Sequence, residues 1–243
     1  GDDVLEACKA SAGRLGVKSL DLYQIHFPDL IQPLKVFGLE QRKDEAYWDG
    51  LAQCYKEGLA KNVGVSNYGP EMLQRAFDAL AARGVPLASN QFNYSLLYRR
   101  QGSQRTLDKC KELGITALAY FPLGMGLLTG KYDAEQMPSG LKGFTMKKYL
   151  RGGSDGIPEG GVTPLVAKLR LIAQRQQRTV SQVALNWIIC KGAVPIPGAR
   201  TEVQAVDNAG ALGWRLSEEE VAELEETADG LGFEFSGGGF KLE

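Results

Sequence analysis

ASNQFNYSLLYRRQGSQRTLDKCKELGITALAY, residues 88–120, decides the fold. The stretch 88–92 reads as a strand, and 103–113 reads as a helix that Gly114 ends, glycine being the residue that closes a helix in the left-handed conformation without steric cost. ITALAY (115–120) returns as a strand that is apolar on both faces, the pattern of a strand buried inside a parallel sheet. Strand, helix and strand in this order form one βα period, and such periods build parallel sheets.

The period continues on both sides. Upstream, 20–26 reads as a strand, 45–58 as a helix with Leu51, Tyr55 and Leu59 on one face, and NVGVS (62–66) as the next strand. Pro70 opens a further helix, its ring being pre-organised for a first turn, and Leu73, Phe77 and Leu80 recur at helical spacing. A helical pattern at 4–15 precedes all of this. Downstream, 121–161 reads as a long irregular stretch with GMG, TGKY, PSG and RGGSDG, carrying Lys142, Lys147, Lys148 and Arg151; loops of this length are functional lids or disordered excursions. Helical periodicity resumes at 164–176, Thr179 caps a helix through Ile189, 193–196 is a strand, 201–212 a helix, and 217–228 a final acidic helix. No repeat beyond the βα period and no linker interrupts the pattern, so residues 1–243 read as one α/β domain.

Composition narrows the function. With 28 basic and 29 acidic side chains the net charge is −1, which gives no electrostatic footprint for nucleic acid or an anionic membrane. No apolar run approaches the roughly 18 residues needed to span a bilayer. A single histidine and four scattered cysteines (Cys8, Cys54, Cys110, Cys190) supply neither a metal-ligand spacing nor a disulfide framework, so buried reduced thiols are expected and no metal site is. A length near 250 residues is usual for one α/β barrel.

In a parallel barrel, binding and catalytic groups collect at the carboxyl ends of the strands. Those ends here carry His26, then Ser66 and Asn67, then Gln91 and Asn93, then Tyr120, then Gly198, Ala199 and Arg200. Serine and asparagine also end strands for purely local reasons. The succession of polar endings on apolar strands still points to one functional end of the sheet. The last cluster has the most specific physics: PGAR (197–200) runs into TEVQ (201–204), which has the form of a capping box, so a helix starts there. Small residues before a helix N-terminus let the backbone approach an anion, the exposed N–H groups favour a phosphate, and Arg200 adds a forked donor.

With these residues in view, the chain resembles the aldo-keto reductases, in particular plastid-associated members from photosynthetic organisms. The resemblance rests on LDLYQIHFP (20–28), GVSNY (64–68), SNQFNYS (89–95), LAYFPLGMGLLTGKY (118–132), SQVALNWIICKGAVPIPGAR (181–200) and QAVDNAGALGW (204–214). It implies a (β/α)8 TIM barrel that binds NADP(H) across the carboxyl end and transfers a hydride to an aldehyde or ketone. It assigns His26 to orienting the substrate carbonyl, Ser66, Asn67 and Gln91 to the nicotinamide carboxamide, and Tyr120 to stacking on the nicotinamide ring. Leu123, Gly126 and Lys131 fall where the family wraps the pyrophosphate, Gly198, Ala199, Arg200 and Gln204 around the 2′-phosphate, and Asn208 near adenine.

Three departures follow from the same resemblance. The tyrosine that protonates the alkoxide, and the lysine and aspartate that tune it, have no match in this sequence; the strands that carry them would precede 20–26. The chain is therefore expected to lack roughly the first three strands and to be inactive alone. Phe27 stands where a tryptophan is usual and keeps an aromatic wall, and Phe121 replaces a serine that contacts the pyrophosphate. A non-catalytic nicotinamide-binding or regulatory protein on the same fold is the alternative; another phosphate-binding barrel would need a strand-end lysine or carboxylate pair. The implied partner is a small carbonyl compound, with no nucleic acid or membrane, acting in a monomer when full length. Any targeting segment would lie upstream, which leaves cytoplasm and chloroplast open.

Overall fold

A computed structural model describes residues 2–29, 43–100, 102–133, 135 and 140–235. The described residues divide into two compact units, one formed by those of 2–92 together with 102–118, the other by 93–100 together with those of 119–235. The elements run α1 (Asp2–Leu15), β1 (Tyr23–Ile25), α2 (Asp44–Lys56), β2 (Val63–Ser66), α3 (Pro70–Ala82), β3 (Leu87–Asn93), α4 (Ser103–Leu113), β4 (Thr116–Tyr120), α5 (Gly140–Arg151), α6 (Thr163–Gln176), α7 (Val180–Cys190), β5 (Val194–Pro195), α8 (Glu202–Ala209) and α9 (Glu218–Asp229). The strand order is β1-β2-β3-β4-β5, the order of the chain, as an unbroken series of βα periods requires.

In the first unit β1 pairs with β2 in parallel, Gln24 opposite Gly64, and β2 pairs with β3 in parallel, Gly64 opposite Ser89 and Ser66 opposite Gln91. Gly64 is fixed by a close approach: a Cβ there would lie 2.2 Å from the Ser89 Oγ and 3.0 Å from the Gln24 Oε1. Ser89 Oγ donates to that Gln24 oxygen at 2.9 Å, so three neighbouring strands share a polar layer that leaves no room for a methyl group. Trp48 and Leu51 of α2, Leu73 and Leu80 of α3, Leu107 of α4, and Val63 and Val65 of β2 are fully buried and form the core on the other face. α1 packs Cys8 among them, with the Cys54 thiol donating to the Val4 carbonyl at 3.9 Å.

In the second unit Leu165, Leu169 and Ile172 of α6, Leu185, Trp187 and Ile188 of α7, and Leu224 of α9 make the core, with Tyr94 stacked on Trp187 at 5.2 Å. Capping boxes fix the starts of two helices: Thr179 with Gln182 on α7, and Ser217 with Glu220 on α9. β5 joins the sheet through the Ile196 amide, which donates to the Ala119 carbonyl at 3.0 Å.

Two sequence expectations are corrected. The stretch 121–161 is not irregular throughout: it holds 3-10 turns at Gly124–Thr129 and the helix α5. The buried face of α5 is Met146, Tyr149 and Leu150, one turn of apolar spacing interleaved with Lys147 and Lys148, too short to register as a period. Gly152 ends this helix at φ +65, where a Cβ would lie 1.7 Å from the Pro158 carbonyl oxygen. Residues 134 and 136–139 of that stretch, the Lys142 side chain and the tail 236–243 lie outside what is described. The strand expected over 20–26 is also shorter, since Leu20 makes only an isolated bridge to Ala60 and the ladder covers Tyr23–Ile25. All four cysteines are free thiols; burial pushes those of Cys54 and Cys110 up to about 12, so neither is a nucleophile at neutral pH. Among the described residues no helix is long and apolar enough to cross a membrane, and no group of three His, Cys, Asp or Glu side chains could hold a metal.

Candidate functional site

The first unit brings four of the sequence-predicted residues to the ends of its strands. Ser66 and Asn67 close β2, and Gln91 lies opposite Ser66 on β3. The Gln91 carbonyl accepts two hydrogen bonds, from the Ser66 hydroxyl and from the Asn67 amide, each 2.8 Å. Asn67 makes this possible by adopting φ 62, a left-handed conformation that asparagine tolerates better than other side chains. Its Nδ2 then bridges back, donating to the Ser66 Oγ at 3.1 Å and to the His26 carbonyl at 3.0 Å. The ends of β1 and β2 are thus tied by a side chain, and those of β2 and β3 by a side chain and a further backbone bond. Ser66 and Asn67 are buried, Gln91 is half-buried and His26 is exposed, with its ring 4.4 Å from that of Phe27.

In the second unit Tyr120 ends β4, half-buried, with Phe121 edge-on at 5.3 Å. Burial pushes the Tyr120 phenol up to about 12, the nearby Tyr98 raises it further, and a backbone hydrogen bond from Asn93 works against both. A phenol in that state stays protonated across the neutral range and offers a flat, uncharged ring. The chain then turns sharply, with Phe121 at φ 49, Met125 at φ 57 and Gly126 at φ 105. A phenylalanine in the left-handed region costs about 1–2 kcal/mol, a strain of the kind that clusters at functional sites. Leu123 accepts from the Gly126 amide at 2.9 Å, and Lys131 is exposed with its ammonium 5.5 Å from the Tyr132 ring centre.

Gly198, Ala199 and Arg200 are exposed and lead into α8, which buries none of its residues. The capping box expected at Thr201 forms only by half. Thr201 Oγ1 accepts from the Gln204 amide at 3.3 Å, but Gln204 Oε1 takes the Arg200 amide at 2.7 Å in place of the Thr201 amide. The reason is local geometry: the glutamine reaches one residue further back and pins the backbone of Arg200, leaving its guanidinium exposed. Asn208 lies half-buried in the last turn of α8.

Sequence reading missed what holds α8. Asp207 receives Thr179 Oγ1 at 3.0 Å and Gln182 Nε2 at 3.0 Å, so the capping residues of α7 also anchor the neighbouring helix. Asn186, fully buried, donates to the carbonyls of Ala211 at 2.9 Å and Trp214 at 3.0 Å, and accepts from the Leu216 amide at 2.9 Å. A lone asparagine inside the apolar run VALNWII (183–189) was the available signal, because a buried amide persists only where its bonds are made.

The profile of the aldo/keto reductase family matches residues 2–229, and the chain belongs to that family. Its fold is accordingly of the (β/α)8 barrel type, seen here in a five-stranded sheet of βα units. Among relatives, chloroplastic pyridoxal reductase of Arabidopsis thaliana is 41% identical over 225 residues, 92% of this chain and 57% of that protein. Aldo-keto reductase str7 of Strobilurus tenacellus is 32% identical over 233 residues, covering 94% and 63%. The chain therefore spans about three fifths of the length of these relatives. Among solved structures, an aldo-keto reductase complexed with NADPH superposes with a TM-score of 0.71 at 25% identity, over 100% of this chain and 66% of that one. A thermostable aldo-keto reductase bound to the inhibitor epalrestat gives 0.68 at 26%, over 93% and 66%.

Proposed function

We propose that the chain supplies the cofactor-holding part of an NADP(H)-dependent oxidoreductase that reduces aldehydes or ketones to alcohols, acting as a single domain. The observation that carries this reading is the doubly bonded Gln91 carbonyl, which holds the Ser66 side chain and the Asn67 backbone against Gln91 at adjoining strand ends. The donor set fits the cofactor. Hydroxyl and amide groups complement a carboxamide, a protonated tyrosine ring offers a stacking face, and an exposed arginine beside a helix N-terminus suits a phosphate monoester. The cofactor supplies the hydride.

The chain's own residues divide the remaining work. Ser66, Asn67 and Gln91 grip the carboxamide and so choose which ring face is presented. Tyr120 covers the other face; protonated up to about 12, it adds no charge to the ring. His26 hydrogen-bonds the substrate carbonyl and sets its angle to the ring. Leu123, Gly126 and Lys131 line the pyrophosphate, and Gly198, Ala199, Arg200 and Gln204 hold the 2′-phosphate, with Asn208 toward adenine. The proton for the alkoxide comes from a tyrosine that this sequence does not match, so the 243 residues alone do not turn over carbonyls at enzymatic rates. The substrate is a small soluble carbonyl compound.

Arg200→Ala tests the cofactor assignment. Titration with NADPH and NADH, read by quenching of intrinsic fluorescence, is expected to show the preference for NADPH falling at least tenfold. An unchanged ratio removes Arg200 from the phosphate site.

A further inference from the structure

The sheet of the first unit is irregular at one point, two residues before the candidate site. Val63 of β2 lies opposite Leu87 of β3, but the next residue, Gly64, lies opposite Ser89, so Ala88 is left over. From there the pairing runs Val65 with Asn90 and Ser66 with Gln91. An extra residue of this kind is a β-bulge, which breaks the ladder locally and re-aims the side chains beyond it. In an unshifted register Gly64 would face Ala88, and Ser66 would face Asn90. Side chains alternate between the two faces of a strand, so a slip of one residue exchanges one face of β3 for the other. The bulge is therefore what sets Gln91 opposite Ser66. Asn90 is fully buried and occupied elsewhere, its Nδ2 donating to the Tyr68 carbonyl at 2.9 Å.

A register that depends on a bulge needs something to hold it, because the interrupted ladder does not. Ser89 is the first paired residue after the bulge, and its hydroxyl donates to the Gln24 Oε1 of β1 at 2.9 Å. This bond crosses β2, since its two partners belong to strands that flank β2 and do not pair with each other. Gly64 makes the crossing possible by having no side chain in its path. Ala88 has no group that could make the bond, so the bond stabilises the shifted register alone. Gln24 stands two residues before His26, and Ser89 two before Gln91. The same bond thus sets the spacing of the residues on either side of Ser66.

We propose that Gln24 and Ser89 are positioning residues: their hydrogen bond across Gly64 holds the bulged register and so presents Gln91, not Asn90, to the nicotinamide carboxamide. The inference rests on the cofactor reading given above, and it adds to that reading two residues that touch neither cofactor nor substrate.

The test uses the intact chain and two ligands. NADPH carries the nicotinamide, whereas 2′-phospho-ADP-ribose lacks it and keeps the phosphates. Ser89→Ala removes the donor of the crossing bond, and Gln24→Leu removes the acceptor at similar volume. In each, the dissociation constant for NADPH is expected to rise about fivefold, the worth of one hydrogen bond, with that for 2′-phospho-ADP-ribose staying within about twofold. Gln24→Glu keeps an oxygen to accept from the Ser89 hydroxyl and is expected to bind NADPH within about twofold of the parent. A merely structural bond would lower the melting temperature of the variants and leave the ratio of the two ligands on folded protein unchanged. An unchanged ratio in folded Ser89→Ala or Gln24→Leu protein overturns the proposal, and so does a Gln24→Glu protein that loses NADPH as Gln24→Leu does. A parent that binds neither ligand overturns the cofactor reading itself. A parent that binds both, with variants that follow it, overturns only the role of the pair.

Discussion

The strand ends of the first unit and the start of α8 in the second are both sets of polar residues following apolar strands, but they are built in opposite ways. Ser66 and Asn67 are buried and place their side-chain donors on the protein itself, on the Gln91 and His26 carbonyls. Arg200, Thr201 and Gln204 are exposed, and none of the residues of α8 is fully buried. The buried set is positioned by the sheet, so its geometry and the stability of the unit are one property. The exposed set is positioned from behind, by Thr179 and Gln182 gripping Asp207, so its binding groups can be changed without touching a core.

That contrast can be broken most sharply at Gly64. Gly64→Ala places a methyl group against Ser89 and Gln24 and is expected to cost about 2–3 kcal/mol, read by urea unfolding. A loss below about 0.5 kcal/mol would mean that the polar layer is loose and that the strand ends are not fixed by it. Arg200→Ala comes next, with a cofactor penalty of about 2 kcal/mol for a lost charged hydrogen bond and a stability change within about 0.5 kcal/mol. A large fall in stability would show that the arginine is structural and would erase the distinction between the two sets.

Gln182→Ala sharpens the comparison, since it removes half of a capping box and two bonds to Asp207 together. About 1 kcal/mol of stability should go, along with a few-fold weakening of NADPH binding through α8. Unchanged binding would show that α8 is held by other contacts. The smallest effect concerns Tyr120, whose phenol is raised to about 12 against an ordinary value near 10. The folded state favours the protonated phenol, so this contribution is complete below about pH 10 and is lost as the pH rises toward 12. Ultraviolet titration of Tyr120→Phe should therefore lose a late-titrating tyrosine; loss of one titrating near pH 10 would contradict the burial of that ring.

Much of this was legible in the sequence because βα periods impose their own punctuation. Gly114, Pro70, Thr179 and Ser217 mark element ends through local chemistry that needs no tertiary contact. The motifs around His26, Ser66, Gln91 and Arg200 likewise carry their residue types in order, and the family follows from them. α5 was not legible, because its single apolar turn is stabilised by packing of Tyr149 against Phe233 and Phe235, more than 80 residues away.

The sequence by itself determined the class of fold, the family and the identity of the polar strand ends, since periodicity, capping and motif order are properties of neighbouring residues. Only the tertiary structure decided how those ends are used. It showed that Gln91 is held by its carbonyl, that Gln204 caps Arg200 rather than Thr201, that Asn186 is fully bonded and that Asn93 is not. The physical reason is that a hydrogen bond between distant residues depends on where the sheet and helices bring them, and two asparagines that look alike in sequence can meet opposite surroundings.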